Sequence, residues 1–257
     1  MPDMADDERM LGKLPAVPDR QLKLLSDVTM ALPPPPVWID WTTKLDVTRL
    51  GTMLNTKIGC CTISAMGHAI QVWTANDSPS MVTVSDTVIG DRYRDACGWV
   101  PGRHSTDNVG GVETKVLNHW LRNPLDGHVI EAAAAIEPGN NGSMRDAIWL
   151  FGGVYVGIGL PLSARSQTIW SVPQGGTTGD GRPWSWGGHA VFVCGYNSRG
   201  VFCITWGQIK RMTWNFVATY MDEAYAILAK DWTGIDQMAP SGFNRAALIS
   251  DLNSLRR

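Results

Sequence analysis

The chain has 257 residues, of which 44% are hydrophobic, and this suits one large domain or two small ones with a sizeable core. The formal net charge is −2 and the pI about 6.2, so no overall basic field favours nucleic acid as a partner. The five cysteines include no CxxC pair, which argues against a disulfide scaffold and a zinc ribbon, and we expect neither a metal nor a cofactor.

The sequence carries no pattern of a secretion signal or a membrane span. The first ten residues, MPDMADDERM, are acidic and lack a basic segment followed by an apolar one, so we expect no signal peptide. The longest apolar run, residues 147–162, contains four glycines and is shorter than the roughly 20 residues that span a bilayer. These features predict a cytoplasmic protein with no membrane association.

Residues 1–44 are predicted to form a proline-rich N-terminal arm. A short helix is expected at residues 19–30, and four prolines follow at 33–36, where polyproline II is favoured and a helix is excluded. Two interpretations stay open for this arm. It is either a strap packed over the following domain or a strut that docks on a protein partner or on a second copy of the chain.

The strongest helical pattern begins at Cys61. Ile63, Met66 and Ile70 recur at helical spacing, and further small and apolar residues widen their face, so we predict a helix from Cys61 to about residue 75. A helix with so wide an apolar face is expected to be buried.

The other elements are predicted from periodicity and turn signals. We expect helices at residues 112–122, 142–152 and 214–221, the second with Ser143 as N-cap and Gly152 as its stop signal. Strands are expected at residues 154–160, 189–196, 201–206, 208–213 and 223–228, with a hairpin turn at the sequence NSRG. Helices first and a sheet last predict an α+β domain over residues 45–232, followed by a polar tail over 233–257.

Cys61 stands where chemistry is expected. The free N–H groups and the dipole at the start of a helix stabilise a thiolate, which is the nucleophilic form of cysteine, so a depressed pKa is expected there. Such a nucleophile needs a base. His68 lies seven residues further along the same helix, about 10 Å away and too far for proton transfer. His189 follows two glycines at the start of a strand and is the better candidate.

Three stretches carry a resemblance to a known family. IGCCTISAMGHA, WGGHAVFVCGYN and ITWGQ, in that order, resemble motifs of the papain-like cysteine peptidase superfamily over roughly residues 45–230. The resemblance implies a central helix packed on a C-terminal antiparallel β-sheet, with Cys61 as nucleophile and His189 as its proton-transfer partner. Cys60 is then a filler at the turn. Other stretches are similar to uncharacterised bacterial and bacteriophage proteins of this type.

The resemblance also assigns supporting residues. Asn55, six residues before the nucleophile, stands where the family has a glutamine, and it either completes an oxyanion hole or caps the turn. The family's histidine-orienting asparagine falls on Ile204, which cannot accept the imidazole N–H, so Thr205 is the candidate for that role. We expect Trp186, Gly188 and Trp206 to line the substrate cleft.

Two functions follow from this pattern. The first is a thiol hydrolase that acts on a peptide or amide bond through Cys61 and His189. The second is a catalytically degenerate structural or interaction protein on the same fold, for example a capsid- or tail-associated component of a bacteriophage virion that binds partners or further copies through the N-terminal arm. The replacement of asparagine by Ile204 and the long arm are the features that favour the second function.

Overall fold

The computed structural model describes residues 9–19, 22, 24–25, 34–103, 109–234 and 236–248. Most of the helix expected at 19–30 lies outside these residues. The α-helices with both ends described are α1 (Cys61–Asp77), α2 (Asp86–Cys97), α3 (Glu113–Trp120), α4 (Asn141–Phe151) and α5 (Trp214–Tyr220). Residues 245–248 are also helical, and short 3₁₀ segments occur in the connections. Eight strands are described, namely β1 (Ile39–Asp40), β2 (Ile130–Ala135), β3 (Val154–Leu160), β4 (Ile169–Trp170), β5 (Gly187–Asn197), β6 (Gly200–Thr205), β7 (Gln208–Thr213) and β8 (Met221–Ala229).

Helix α1 forms the centre of the molecule, as the sequence predicts. Every residue from Cys61 to Asn76 is buried, so both its strongly apolar face and its polar residues are enclosed. Trp73 packs edge-on against Phe192 of β5, with 5.5 Å between the ring centroids, and its indole N–H donates to the carbonyl of Phe151. These contacts join the helix to the sheet and fix where the first residue of α1 lies.

The strands form one sheet in the order β2-β8-β3-β5-β6-β7-β4, with β1 added to β5. All neighbouring strands are antiparallel except the short pair of β4 and β7. Strand β5 is the longest strand and contacts α1 directly. A central helix packed on a largely antiparallel sheet confirms the predicted α+β fold class.

Two elements and one cap differ from the sequence prediction. Strand β2, IEAAAA, carries four alanines, which favour a helix in isolation, and its pairing with β8 overrides that preference. Helix α2 has only three buried residues, too few for a clear period. The N-cap of α4 is Asn140, whose side chain accepts from the N–H of Ser143, so the assignment of Ser143 as N-cap is wrong.

Residues 9–17, which we call the strap, lie across the N-terminal end of α1, between the turn that contains Asn55 and the start of β5. The amide of Met10 bonds the carbonyl of Asn55 on one side, and the amide of Lys13 bonds the carbonyl of Gly188 on the other. In the described part of the chain, no helix has the length and apolarity needed to cross a membrane.

Candidate active site

The β5–β6 hairpin brings His189 and Thr205 together in the core. His189 lies near the start of β5, and Thr205 is the last residue of β6. Nε2 of the histidine and Oγ1 of the threonine are 2.6 Å apart, and both residues are buried. Ile204 is a fully buried core residue. The hydroxyl of Thr205 is therefore the group that holds Nε2 of the imidazole ring.

Trp206 fixes the plane of the same imidazole. Its indole stacks on His189 with ring centroids 4.2 Å apart and an interplanar angle of 15°. Trp206 has a φ of +48°, a left-handed conformation that is uncommon for a bulky residue, and Gly207 follows with a φ of +73°. Trp170 closes another side of the ring with an edge-on contact at 6.4 Å. With Nε2 bonded and one face stacked, the ring has little rotational freedom.

Cys61 is the first residue of α1 and is only 1% exposed. Burial raises the pKa of its thiol to about 11, while hydrogen bonds from the backbone N–H groups of Ala190 and Gly12 oppose that rise. The depressed pKa expected from the helix N-terminus is therefore wrong for this state of the protein. The physical reason is that strap residues such as Gly12 exclude water from the sulfur, and desolvation outweighs the dipole.

His189 is uncharged in the same environment. Burial, helped by the nearby His68, lowers the pKa of His189 to about 3. Among the described residues, Nδ1 of His189 has no hydrogen-bond partner. His68 is itself buried and bonds the side chain of Gln71 through Nδ1 at 2.8 Å. Proton transfer from a thiol of pKa about 11 to an imidazole of pKa about 3 is strongly unfavourable, so the covered site is in a neutral resting state.

The strap crosses directly over this site and binds like an added β-strand. The amide of Gly111 bonds the carbonyl of Gly12 at 2.7 Å, and the amide of Leu14 bonds the carbonyl of Gly111 at 2.8 Å. The indole N–H of Trp206 donates to the carbonyl of Met10 at 3.3 Å. Gly12 passes so close to Gly59 that a Cβ on it would overlap the carbonyl of that residue. The strap thus covers the start of α1, where Cys61 lies.

The solved structures with a similar fold are cysteine proteases. Xylellain, a cysteine protease from Xylella fastidiosa, matches with a TM-score of 0.63 and 14% identity, over 86% of this chain and 96% of that chain. Procathepsin L2 from Tenebrio molitor larval midgut matches with a TM-score of 0.55 and 12% identity, over 89% and 81% of the respective chains. The chain has a papain-like fold. No protein-family model and no curated protein sequence matches it.

A third papain-like structure, the Carica candamarcensis cysteine protease CMS1MS2 in complex with E-64, matches with a TM-score of 0.51 and 15% identity, over 75% of this chain and 98% of that one. At these identities the likeness establishes the papain-like fold. Roles for individual residues rest on the geometry of this chain.

Asn55 lies in the turn that leads into α1 of the papain-like fold. Its side-chain amide donates to the carbonyl of Ile58 at 3.2 Å and thereby closes the turn. The residue is 1% exposed. An amide group carries two N–H donors, so this bond occupies one of them.

The remaining predicted residues of the papain-like site divide between cleft and core. Gly188 contacts the strap through its carbonyl, and Trp186 is half-buried and packs on Trp206 with centroids 5.8 Å apart. The thiol of Cys60 lies 3.3 Å from the hydroxyl of Ser64 and 3.5 Å from the carbonyl of Met53. Both vicinal cysteines, Cys60 and Cys61, are free thiols.

A second group of polar residues beside the strap was missed by the sequence reading. The side chain of Lys13 is completely buried and forms ion pairs with Asp222 and Glu223, each at 2.8 Å. Glu113, the first residue of α3, lies beside them and is 0% exposed. The only local signal was the position of a lysine within the apolar sequence LGKLP.

Proposed function

We propose that the chain is a thiol hydrolase of peptide or amide bonds, with Cys61 as nucleophile and His189 as general base and acid. The observation that carries this proposal is the arrangement of β5. His189 is held by Thr205 and Trp206 near the start of that strand, and the next residue, Ala190, lies beside the sulfur of Cys61 at the start of α1. The papain-like fold of the chain supports the same class of chemistry.

In the proposed reaction, Nδ1 of His189 takes the thiol proton while the sulfur of Cys61 bonds the substrate carbonyl carbon. The proposed reaction uses the tautomer in which the N–H on Nε2 donates to Oγ1 of Thr205, because Nδ1 is then free to accept the thiol proton. The tetrahedral oxyanion is stabilised by the unpaired N–H groups at the start of α1, with Asn55 as the proposed side-chain donor. Collapse expels the amine, which takes its proton from His189. Water, deprotonated by His189, then attacks the thioester carbon; the C–S bond breaks, the carboxylic acid is released, and the proton on His189 returns to the sulfur.

The proposed reaction requires the strap to leave. While it is bound, Cys61 and His189 are both buried and neutral, and no substrate can reach the sulfur. Withdrawal of the strap admits water, which lowers the cost of forming a thiolate and an imidazolium. The measured rate of hydrolysis is then proportional to the fraction of molecules in which the strap is displaced.

Hydrolysis by the full chain tests the proposal. Wild type and the variant Gly12→Val, in which the new side chain prevents the close approach to Gly59, are assayed against a mixed peptide library by mass spectrometry. We expect Gly12→Val to cleave peptides at least about tenfold faster because more molecules are open. Cys61→Ser should abolish cleavage, and His189→Gln should reduce it by a factor of about 100 or more. Absence of cleavage by Gly12→Val, with the strap shown by hydrogen exchange to be displaced, would refute the proposal.

A catalytically silent binding protein is the second candidate. It is favoured by one observation, namely that the thiol of Cys61 is held neutral beneath the chain's own strap. This candidate predicts that the strap-displaced variant binds peptides without cleaving them, and that the thiol of Cys61 stays unreactive when water reaches it. The same library distinguishes the two functions.

A further inference from the structure

Lys13 is a fully buried cation. Its side chain is less exposed than the basic side chains of the other ion pairs seen among the described residues, those of Arg94, His128 and Arg245. Its side chain is 0% exposed, although burying an unpaired ammonium is very costly. It is carried by a strap that pairs with Gly111 and Gly188 through main-chain hydrogen bonds. The pocket around Lys13 therefore holds the side chain of an extended peptide that lies in the cleft.

The walls of this pocket, which we call the acidic pocket, are formed by Glu113, Asp222 and Glu223. The ammonium of Lys13 also donates to the carbonyl of Leu14 at 3.0 Å. Burial alone lowers the pKa of Lys13, but the charges of Glu113, Glu223 and Asp222 outweigh it and raise that pKa above its usual value. The pocket is thus selective for a positive charge.

The acidic pocket offers more hydrogen-bond acceptors than a lysine can use. The ammonium of Lys13 donates to Oδ2 of Asp222 and to the carbonyl of Leu14, and it forms an ion pair with Oε1 of Glu223 at 2.8 Å. Among the described residues, both carboxylate oxygens of Glu113, Oδ1 of Asp222 and Oε1 of Glu223 have no hydrogen-bond partner. An arginine presents five N–H donors in a planar fork and could occupy these oxygens as well.

The shape of the acidic pocket also fits a long side chain. Gly157 of β3 forms its floor, and a Cβ at that position would overlap Cε of Lys13. The ring of Trp184 lies 5.1 Å from the ammonium and forms a cation–π contact. Asp222 is 22% exposed, so the pocket opens to solvent at that carboxylate. Tyr225 donates to Oε2 of Glu223 at 2.6 Å and orients that carboxylate.

We infer that the acidic pocket, once the strap has left, receives a lysine or arginine side chain of the substrate peptide. This inference rests on the proposed function, because it names the substrate class of the same cleft. While the strap is bound, Lys13 occupies the position that the substrate side chain would take. A substrate with an acidic residue at this position would be rejected by like charge.

A binding experiment tests the inference without requiring turnover. The full chain carrying Gly12→Val, Lys13→Met and Cys61→Ser is titrated with a fluorescent peptide that has the sequence of residues 9–17. Otherwise identical peptides carry arginine, norleucine or glutamate at the position of Lys13. We expect the lysine and arginine peptides to bind at least about 30-fold more tightly than the norleucine peptide, and the glutamate peptide not to bind. Adding Glu223→Gln should remove most of this preference, whereas Asp126→Asn, at an exposed carboxylate outside the acidic pocket, should not.

Equal affinity for the lysine and norleucine peptides, or no saturable binding of either, would overturn the inference. If the triple variant does not fold, strap protection is measured by hydrogen exchange in the otherwise wild-type chain. Lys13→Arg should then keep the protection of the Leu14 amide, and Lys13→Met should lower it at least about tenfold; equal protection in the two variants would contradict the inference. The variant that keeps Cys61 is assayed for cleavage of the same peptides. Preferential binding of the lysine and arginine peptides without their cleavage would refute the proposed function, but it would support the role of the acidic pocket.

Discussion

The two ends of the cleft bury their polar groups in opposite ways. At Cys61 and His189, burial keeps a thiol and an imidazole neutral. At the acidic pocket, Lys13 is buried together with the carboxylates that pair with it. We call the end at Cys61 and His189 the neutral end and the end at Lys13 the charged end. When water enters, few favourable interactions are lost at the neutral end, whereas the charged end loses the ion pairs of Lys13, which exist only while the strap is bound.

This difference indicates which end holds the strap. Burying a neutral group costs little desolvation free energy, and such a group can ionise once water reaches it. A buried ion pair, in contrast, depends on both partners, because removing one leaves an uncompensated charge in the interior. We therefore expect Lys13 to anchor the strap, and the contacts at Cys61 to be those that are lost first.

Lys13→Met should give the largest effect. Methionine fills a similar volume but leaves Asp222 and Glu223 without a counter-charge, so we expect the free energy of unfolding to fall by about 3–5 kcal/mol, or the strap to detach. Urea denaturation measures the first outcome, and hydrogen exchange at Leu14 measures the second. Lys115→Met, on an exposed position of α3, is the matched control and should change neither. Unaltered stability and protection in Lys13→Met would mean that the charged end does not hold the strap.

Gly12→Val should have the next largest effect. Its side chain would overlap the backbone of Gly59, and relief of such overlap costs about 1–3 kcal/mol. We expect this cost to appear as faster hydrogen exchange of strap amides, with the domain itself intact. Gly175→Val serves as the control, because a Cβ on Gly175 meets nothing within 4 Å. Similar exchange in the two variants would argue against a tight fit of the strap at the neutral end.

Thr205→Val should lower the free energy of unfolding by about 1–2 kcal/mol, because it leaves Nε2 of a buried imidazole without its hydrogen-bond partner. Thr205→Ser keeps the hydroxyl and should restore much of the loss. Nitrogen-15 NMR of His189 adds a readout that packing alone does not move. We expect a mixture of tautomers in the valine variant and one tautomer in wild type. A single tautomer in both would show that Thr205 does not orient the ring.

Glu113→Gln should stabilise the protein at neutral pH, unlike the three substitutions above. Burial, together with the charges of Glu223 and Asp222, raises the pKa of Glu113 well above its usual value, although Lys13 opposes the rise. A raised pKa means that the folded state binds a proton which the unfolded state releases. Its contribution to stability is full below the unfolded pKa near about 4.3 and is lost as pH rises toward the folded pKa.

Glutamine removes this dependence, so Glu113→Gln should be more stable than wild type at neutral pH by on the order of 1 kcal/mol. Near pH 4 the two proteins should be almost equally stable. Thermal denaturation across this range measures the difference. A variant that is less stable than wild type at neutral pH would contradict a raised pKa of Glu113 in the folded protein.

The fold could be predicted where local periodicity and tertiary packing agree. The α1 pattern and the hairpin of β5 and β6 satisfy both, and both elements are observed where expected. The alanine-rich β2 could not be predicted, because only its pairing with β8 makes it a strand. Helix α2 buries one side so sparsely that its sequence carries no strong period.

The candidate site could be predicted in part for the same reason. The family resemblance indicated Thr205 as the partner of His189, and the pairing of β5 with β6 brings the two residues together. The acidic pocket could not be foreseen, because Lys13 and Asp222 are 209 residues apart in the sequence and no local pattern joins them. The pKa of Cys61 was misjudged because the dipole of a helix is a local feature, whereas burial by the strap is not.

The reactivity of Cys61 tests the central claim most directly. Alkylation by iodoacetamide at about pH 6, well below the pKa of an ordinary thiol, is followed for each cysteine by mass spectrometry in wild type, Gly12→Val and Gly12→Val/His189→Gln. Cys61 in the protein unfolded by urea serves as the reference thiol, because burial raises the pKa of Cys97 in the folded protein. We expect Cys61 to be inert in folded wild type, to react at least about tenfold faster in folded Gly12→Val than in the unfolded protein, and to lose this advantage without His189. If Cys61 of the strap-displaced protein reacts no faster than the unfolded-state thiol, or reacts equally fast without the histidine, the central claim is contradicted.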